Sequence, residues 1–166
     1  AVNIADLGTG SGAIALALAH ERSCASIKAT DISSDALAIA QHNATALGIT
    51  NVQFNRGAWF EPLAGQCFDM ITANPPYVAI EDADLDTIQT RHEPPLALFA
   101  GTDGLSALRI IIAEAPTHIR PDGYLILEHG HLQGQAVRDL LCHSGFHSIV
   151  TRNDPADLPR VSIGRR

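Results

Sequence analysis

Residues 2–12 place the tightest constraint on what this chain can become. Residues 2–7 are a short, mostly apolar run, Gly8-Thr9-Gly10-Ser11-Gly12 follows, and residues 13–19 are alanine-rich and apolar. The run reads as a buried strand and its continuation as a helix. Between them the glycines let the backbone turn tightly and let a ligand approach where a Cβ would collide. Strand, glycine turn and helix open an α/β unit, whose next strand lies parallel because such crossovers are right-handed.

The rest of the chain repeats that alternation. Residues 25–30 read as a strand ending at Asp31, and Ser33 or Ser34 caps a helix to about Leu47, stopped by Gly48. Leu37, Ala40, Ala44 and Leu47 give that helix one apolar face. Residues 52–55 and 68–73 are the third and fourth strands, with the only tryptophan, Trp59, in the loop between them. Thr102 or Asp103 caps a helix through about His118, and Pro121-Asp122-Gly123 turns into a strand over 124–128. A helix over 133–143 precedes strands over 146–151 and 160–163, and the polar, proline-containing turn between these two marks an antiparallel hairpin. The expected architecture is one α/β domain over residues 1–166, with a seven-stranded, mostly parallel sheet ending in a C-terminal antiparallel hairpin.

Composition narrows the class. With 166 residues, 46% hydrophobic and 17% charged, the chain can bury one core. Its net charge of -7 is spread along the chain, and Lys28 is the single lysine. The absence of a basic stripe disfavours nucleic acid as a direct partner. Cys24, Cys67 and Cys142 are too widely spaced for a metal knot or a disulfide framework, which suits a reducing, cytoplasmic setting and is read as three buried small hydrophobes. No apolar segment approaches the roughly 18 residues a membrane span needs. The chain begins at Ala1 and enters a strand almost at once, so an excised domain is expected.

In an open α/β sheet the carboxyl end of the first strand borders the point where ligands bind. Asp31, ending the second strand beside the glycine turn, suits the two hydroxyls of a ribose, and Trp59 suits an adenine face. A nucleoside-bearing cofactor follows. The turn alone does not say which, since Gly8-x-Gly10-x-x-Ala13 with Asp31 roughly 20 residues on also satisfies the dinucleotide fingerprint.

Asn74-Pro75-Pro76-Tyr77 closes the fourth strand and favours a different chemistry. Two prolines remove two backbone donors and fix two φ angles, so the chain is held rigid there. An amide, two carbonyls and an aromatic face suit a flat, NH-bearing group. A hydride-transfer enzyme needs no such segment, whereas an amino-group methyltransferase does. Its acceptor nitrogen is a poor nucleophile that must be held in line with the methyl carbon, and Asn74 Oδ1 and the Pro75 carbonyl would each accept one N–H. Tyr77 would pack on the plane of the substrate.

The sequence Asp6-Leu7-Gly8-Thr9-Gly10-Ser11-Gly12, the Asp31-Ile32-Ser33 step, Trp59-Phe60 and Asn74-Pro75-Pro76-Tyr77 resemble the HemK/PrmC family of protein-glutamine methyltransferases. Arg91-x-Glu93-Pro94-x-x-Ala97-Leu98, Asp103-Gly104-Leu105, Glu128-His129-Gly130 and Arg160-Val161-x-x-Gly164-Arg165 extend the resemblance over essentially the whole chain. The resemblance implies a class I S-adenosylmethionine-dependent methyltransferase (Rossmann-like) fold. It also implies methylation of the glutamine in the GGQ motif of class 1 peptide chain release factors, with S-adenosylhomocysteine as product. By position, Gly8, Thr9, Gly10, Ser11, Gly12, Asp31, Trp59 and Asn74 would line the cofactor site, and Asn74, Pro75, Pro76 and Tyr77 would grip the glutamine amide. A monomer is the expected state. Many relatives carry an acidic residue just before the Trp-Phe pair where this chain has Ala58, so adenine recognition would rest more on Trp59 and backbone groups. The family's N-terminal helical domain is absent, so the chain reads as the catalytic domain.

Asn74-Pro75-Pro76-Tyr77 alone is shared with adenine and guanine amino methyltransferases of DNA and ribosomal RNA, and a non-catalytic nucleoside-binding module remains an alternative of another class. His129 and His131 bracket Gly130 without a clear third ligand and read as structural. The acidic group Glu81, Asp82, Asp84 and Asp86 reads as a solvated loop face, and Glu93 as a possible buttress of the Asn-Pro-Pro-Tyr segment.

Overall fold

A computed structural model describes residues 1–77 and 103–166. The acidic group at 81–86, the Arg91 to Leu98 motif with Glu93, and Thr102 lie outside the described residues. Strand β1 spans Asn3–Leu7, helix α1 Ala13–Glu21, β2 Ser26–Asp31, α2 Ser34–Ala46, β3 Val52–Arg56 and β4 Phe68–Ala73. After them come α3 Ser106–Glu114, β5 Ile119–Glu128, α4 Gly134–His143, β6 His147–Asn153 and β7 Pro159–Arg165.

The seven strands form one sheet in the order β3-β2-β1-β4-β5-β7-β6. β1 pairs in parallel with β2 and β4, β4 in parallel with β5, and β7 antiparallel with both β5 and β6. The single reversed strand and the terminal hairpin are as expected.

Each face of the sheet carries its own core. Ile4, Ala15, Ala19, Ala25, Ile27 and Ala29 make the smaller one, where short side chains let α1 lie close to β1 and β2. On the other face Leu125 and Leu127 of β5 meet Leu108 and Ile111 of α3 and Val137 and Leu141 of α4, all fully buried. Burying each such leucine or isoleucine contributes about 1.5–3 kcal/mol before the cost of ordering the chain.

Local chemistry sets the helix ends. Ser33 Oγ accepts from Ala36 N at 3.2 Å and caps α2, while Ile49 N donates back to Ala44 O beyond its end. α3 stops at Glu114 and passes into a 3₁₀ turn over Ala115–Thr117, earlier than the expected His118. Pro116 has no N–H and crowds the carbonyl one turn back, so the α-helical ladder cannot continue through it. Asp103 does not cap α3 in the expected manner: its Oδ1 accepts from Leu105 N at 3.1 Å, and Leu105 holds the cap position.

Two further expectations are corrected. Pro121-Asp122-Gly123 does not precede β5 but lies inside it, as an irregularity between the pairs Phe68↔Ile119 and Met70↔Tyr124. Asp122 takes φ 67° there, and its N–H donates to Arg166 O at 2.9 Å. The turn residues therefore bulge the strand without ending it. All three cysteines are exposed, not buried. Cys24 falls in the turn after α1 and Cys142 on the outer side of α4. Cys67 precedes β4 with its thiol 3.8 Å from Thr117 O.

Candidate active site

The sheet's connectivity reverses direction at β1 and β4. From β1 the chain steps outward through β2 to β3, then returns to the other side of β1 as β4. In open α/β sheets ligands bind beyond the carboxyl ends of the strands at that switch point. Leu7 and Ala73, the last residues of β1 and β4, are register partners. Gly8 and Asn74 therefore leave the sheet side by side, and the glycine turn and the Asn-Pro-Pro-Tyr segment border the same opening.

A buried carboxylate fastens the two strands just beneath. Asp6 is 1% exposed; Thr9 Oγ1 donates to its Oδ2 at 2.6 Å and Thr72 Oγ1 to its Oδ1 at 2.8 Å. Burial pushes the Asp6 carboxyl above its ordinary value, against the lowering effect of the two threonine bonds. Thr9, read as a cofactor residue, spends its hydroxyl on Asp6 and its N–H on Thr30 O at 2.9 Å, so it shapes the turn from below. Nothing in residue type alone marked Asp6 and Thr72 as partners.

The glycine turn is closed on its outer side by β2 and the loop after β3. Gly10 N donates to Asp31 Oδ2 and Ser33 N to Asp31 Oδ1, each at 2.8 Å. Each carboxylate oxygen retains a lone pair that these two bonds do not use. Trp59 packs its ring on Gly8: a Cβ there would stand 3.1 Å from the ring's Cζ3, and Gly8 takes φ 65°. Thr30 Oγ1 donates to the Trp59 carbonyl at 2.9 Å and holds that loop to β2. Ala58, where the resemblance leads one to expect an acid, has its N–H on Glu61 Oε2 at 3.1 Å. Ser11 is exposed, and its carbonyl accepts from Asn43 Nδ2 at 3.0 Å.

Beyond the end of β4 Asn74 is exposed, Pro75 buried, and Pro76 and Tyr77 half-buried. Tyr77 Oη donates to Glu128 Oε1 at 3.3 Å, and burial together with that carboxylate raises the Tyr77 phenol. Gln133, which sequence reading passed over, reaches three of the motifs at once. Its Nε2 donates to Tyr77 O at 3.0 Å and Asp103 O at 3.1 Å, and its Oε1 accepts from Gly130 N at 2.8 Å. The available signal was its place three residues after Gly130 at the head of a helix, the spacing of a reciprocal cap.

The two histidines part company. His129 is fully buried, with Nε2 2.9 Å from Ser162 Oγ and Nδ1 2.9 Å from Gly130 O, whereas His131 is exposed. Burial lowers the His129 ring, which fits a neutral imidazole accepting from Ser162 and donating to Gly130 O. Among the described residues no group of His, Cys, Asp and Glu could hold a metal ion.

This strand order, the single reversed strand and a glycine turn at the switch point define the methyltransferase class of Rossmann-like folds. Solved structures agree. A ribosomal protein L11 methylase from Lactobacillus delbrueckii subsp. bulgaricus aligns with a TM-score of 0.71 and 24% identity, over 99% of this chain and 70% of that one. A methyltransferase from Pyrococcus furiosus aligns with a TM-score of 0.73 and 18% identity, over 99% and 74%. The chain belongs to the methyltransferase domain family, whose model matches residues 1–152. Its curated relatives include the release factor glutamine methyltransferase of Xylella fastidiosa strain Temecula1, 53% identical over 98% of this chain and 59% of that protein. The enzyme of the same name from Escherichia coli K12 is 44% identical over 98% and 58%. The chain thus spans 59% or 58% of the length of these relatives. No helix among the described residues is long and apolar enough to cross a membrane.

Proposed function

We propose that this domain transfers a methyl group from S-adenosylmethionine to the side-chain amide nitrogen of a glutamine in a peptide chain release factor. The observation that supports the reading is the register pair Leu7↔Ala73, from which the glycine turn and the Asn-Pro-Pro-Tyr segment leave the sheet next to one another at the switch point. The names of the relatives supply the substrate class.

The residues present fit the cofactor. The Asp31 carboxylate suits the ribose hydroxyls, the Trp59 ring the adenine, and the Gly10 backbone, with open space where a Cβ would stand, a close approach by the rest. When bound, the sulfonium supplies an electrophilic methyl carbon. On the acceptor side Asn74 Oδ1 and the Pro75 carbonyl each take one N–H of the glutamine amide. That orients the nitrogen and favours the positive charge it develops. The cofactor would supply the methyl group and leave as a neutral thioether, while Asn74 and Pro75 would hold the acceptor nitrogen, whose displaced proton would pass to solvent. No base is needed before transfer.

Incubation of the purified chain with methyl-labelled S-adenosylmethionine and a class 1 release factor tests the reading. Label is expected on the release factor and is expected to vanish when the glutamine of its GGQ motif is changed to alanine. Equal labelling of both proteins, or labelling of RNA or DNA instead, would overturn it.

A further inference from the structure

The Gln133 side chain sits where three motif segments meet, and its hydrogen-bonding capacity is almost fully spent. The two Nε2 hydrogens go to two different carbonyls, Tyr77 O at 3.0 Å and Asp103 O at 3.1 Å. Its Oε1 accepts from Gly130 N at 2.8 Å, and its own N–H donates to Gly130 O at 2.9 Å. Those two carbonyls belong to the residues that flank segment 78–102. Gln133 heads α4, which is fixed to the core through Val137 and Leu141, both fully buried.

The packing around this amide leaves no slack. Gly104 takes φ 71°, and a Cβ on it would collide with the Tyr77 carbonyl oxygen and stand 2.6 Å from Gln133 Nε2. Tyr77 is held a second time by its hydroxyl on Glu128. Between the Tyr77 carbonyl and Asn74 lie two prolines with locked φ. A position imposed at Tyr77 is therefore passed to the Pro75 carbonyl and the Asn74 amide with little loss.

We propose that Gln133 is a positioning residue of the acceptor site, whose amide clamps Tyr77 to Asp103 and Gly130 and so sets where Asn74 and Pro75 meet the substrate NH2. The proposal rests on the reading of Asn74–Tyr77 as the amide grip. It gives Gln133 no contact with substrate or cofactor: Gly8, Asp31 and Trp59 of the cofactor cradle have no bond to Gln133, and Asn74 is the one residue the two half-sites share.

Two variants test it. Gln133→Leu keeps the bulk and loses both donors and the acceptor. Gln133→Glu keeps the acceptor for Gly130 N, and when ionised turns a negative oxygen on the two carbonyls; when protonated it regains one donor. In Gln133→Leu, kcat/KM for the release factor is expected to fall about tenfold to a hundredfold, as for a small misplacement of a reacting group. The Kd for S-adenosylmethionine by calorimetry is expected to stay within about twofold, a shift well under 1.4 kcal/mol. Measured as a ratio to the unsubstituted enzyme at each pH, Gln133→Glu is expected to recover activity as pH falls, while Gln133→Leu stays level. Cofactor affinity falling in parallel with kcat/KM, or a Gln133→Glu ratio flat with pH, overturns the proposal. If the unsubstituted chain methylates no release factor, the functional reading has failed, and the clamp is judged by 15N spectra of the protein alone. Gln133 side-chain amide protons protected from exchange sustain the clamp; exchange at the free-amide rate refutes it.

Discussion

Thr72→Val isolates the contribution of the carboxylate that binds β1 to β4. The substitution replaces one hydroxyl by a methyl of similar volume, at a residue 5% exposed whose Oγ1 donates to Asp6 Oδ1 at 2.8 Å. Asp6 is 1% exposed, so water cannot take the hydroxyl's place. A hydrogen bond to a charged group contributes about 1.5–3 kcal/mol, and a neutral one about 0.5–1.5 kcal/mol. Urea unfolding at a pH above the folded pKa of Asp6 should therefore show a loss of about 2 kcal/mol, or about 4–8 °C in Tm for a chain of this size. The pH dependence has a definite sign. Because the folded Asp6 carboxyl lies above its ordinary 3.8, it contributes stability that is full below that value and lost as pH rises through the folded pKa. Removing the Thr72 bond, one of the effects that lowers it, moves the folded pKa further up. The difference between variant and unsubstituted protein should then widen as pH rises from about 4, from the neutral-bond to the charged-bond figure. In an Asp6→Asn background the same substitution should cost only the neutral-bond figure at every pH. A loss that is independent of pH, or equal in both backgrounds, would refute the argument.

Four further outcomes can be checked separately. Gly8→Ala forces a side chain into the left-handed region and against the Trp59 ring, and should weaken S-adenosylmethionine binding about tenfold by calorimetry with little change in acceptor KM. Hydrogen bonds from Arg109 hold the Asp103 carboxyl at about 2, so its stabilising contribution is present above the ordinary carboxylate pKa and fades as pH falls through about 2; in Arg109→Ala a 13C titration of Asp103 should move its midpoint back up toward about 3.9. Leu125→Ala, at a fully buried position between β5 and the α3–α4 layer, should cost about 2–5 kcal/mol in urea unfolding. Arg120→Ala removes a half-exposed pair in which one guanidinium nitrogen donates to both Asp69 oxygens, and should cost about 1 kcal/mol or less, vanishing in high salt.

What could be read from the sequence was what local chemistry decides. The glycine turn, the Ser33 cap, the end of β4 at two prolines and the antiparallel hairpin are each written in a few consecutive residues, and each stands where expected. The errors came where a local signal met a tertiary one. Pro121-Asp122-Gly123 is turn chemistry absorbed as an irregularity by a strand whose pairing continues on both sides. The cysteines were placed by the average habit of the residue, which says nothing about which side of α4 carries Cys142. Asp6–Thr72 and Gln133–Tyr77 join residues 66 and 56 positions apart, and no periodicity or spacing rule reaches that far.

Those two long-range links explain how the site can hold its geometry. Transfer between two bound groups needs alignment to about half an ångström, and a site built on loops keeps that only if the loops are tied to rigid elements. The glycine turn and the Asn-Pro-Pro-Tyr segment are both loops. Asp6 supports them from inside the sheet, where one carboxylate takes Thr9 from the turn and Thr72 from β4 and so fixes the spacing of the two strand ends. Gln133 supports the acceptor loop from the other side, through α4 and the core on the far face of the sheet. The supports differ in kind because their demands differ. Behind the strands Asp6 is 1% exposed and its oxygens are met by protein donors, so the carboxyl there favours a single register. At the rim a neutral amide with two donors can join two carbonyls without bringing a charge near the nitrogen that must become positive. Loosening Asp6 should therefore disturb cofactor and acceptor sites to a similar degree, whereas loosening Gln133 should disturb chiefly the acceptor site, reaching the cofactor only through Asn74.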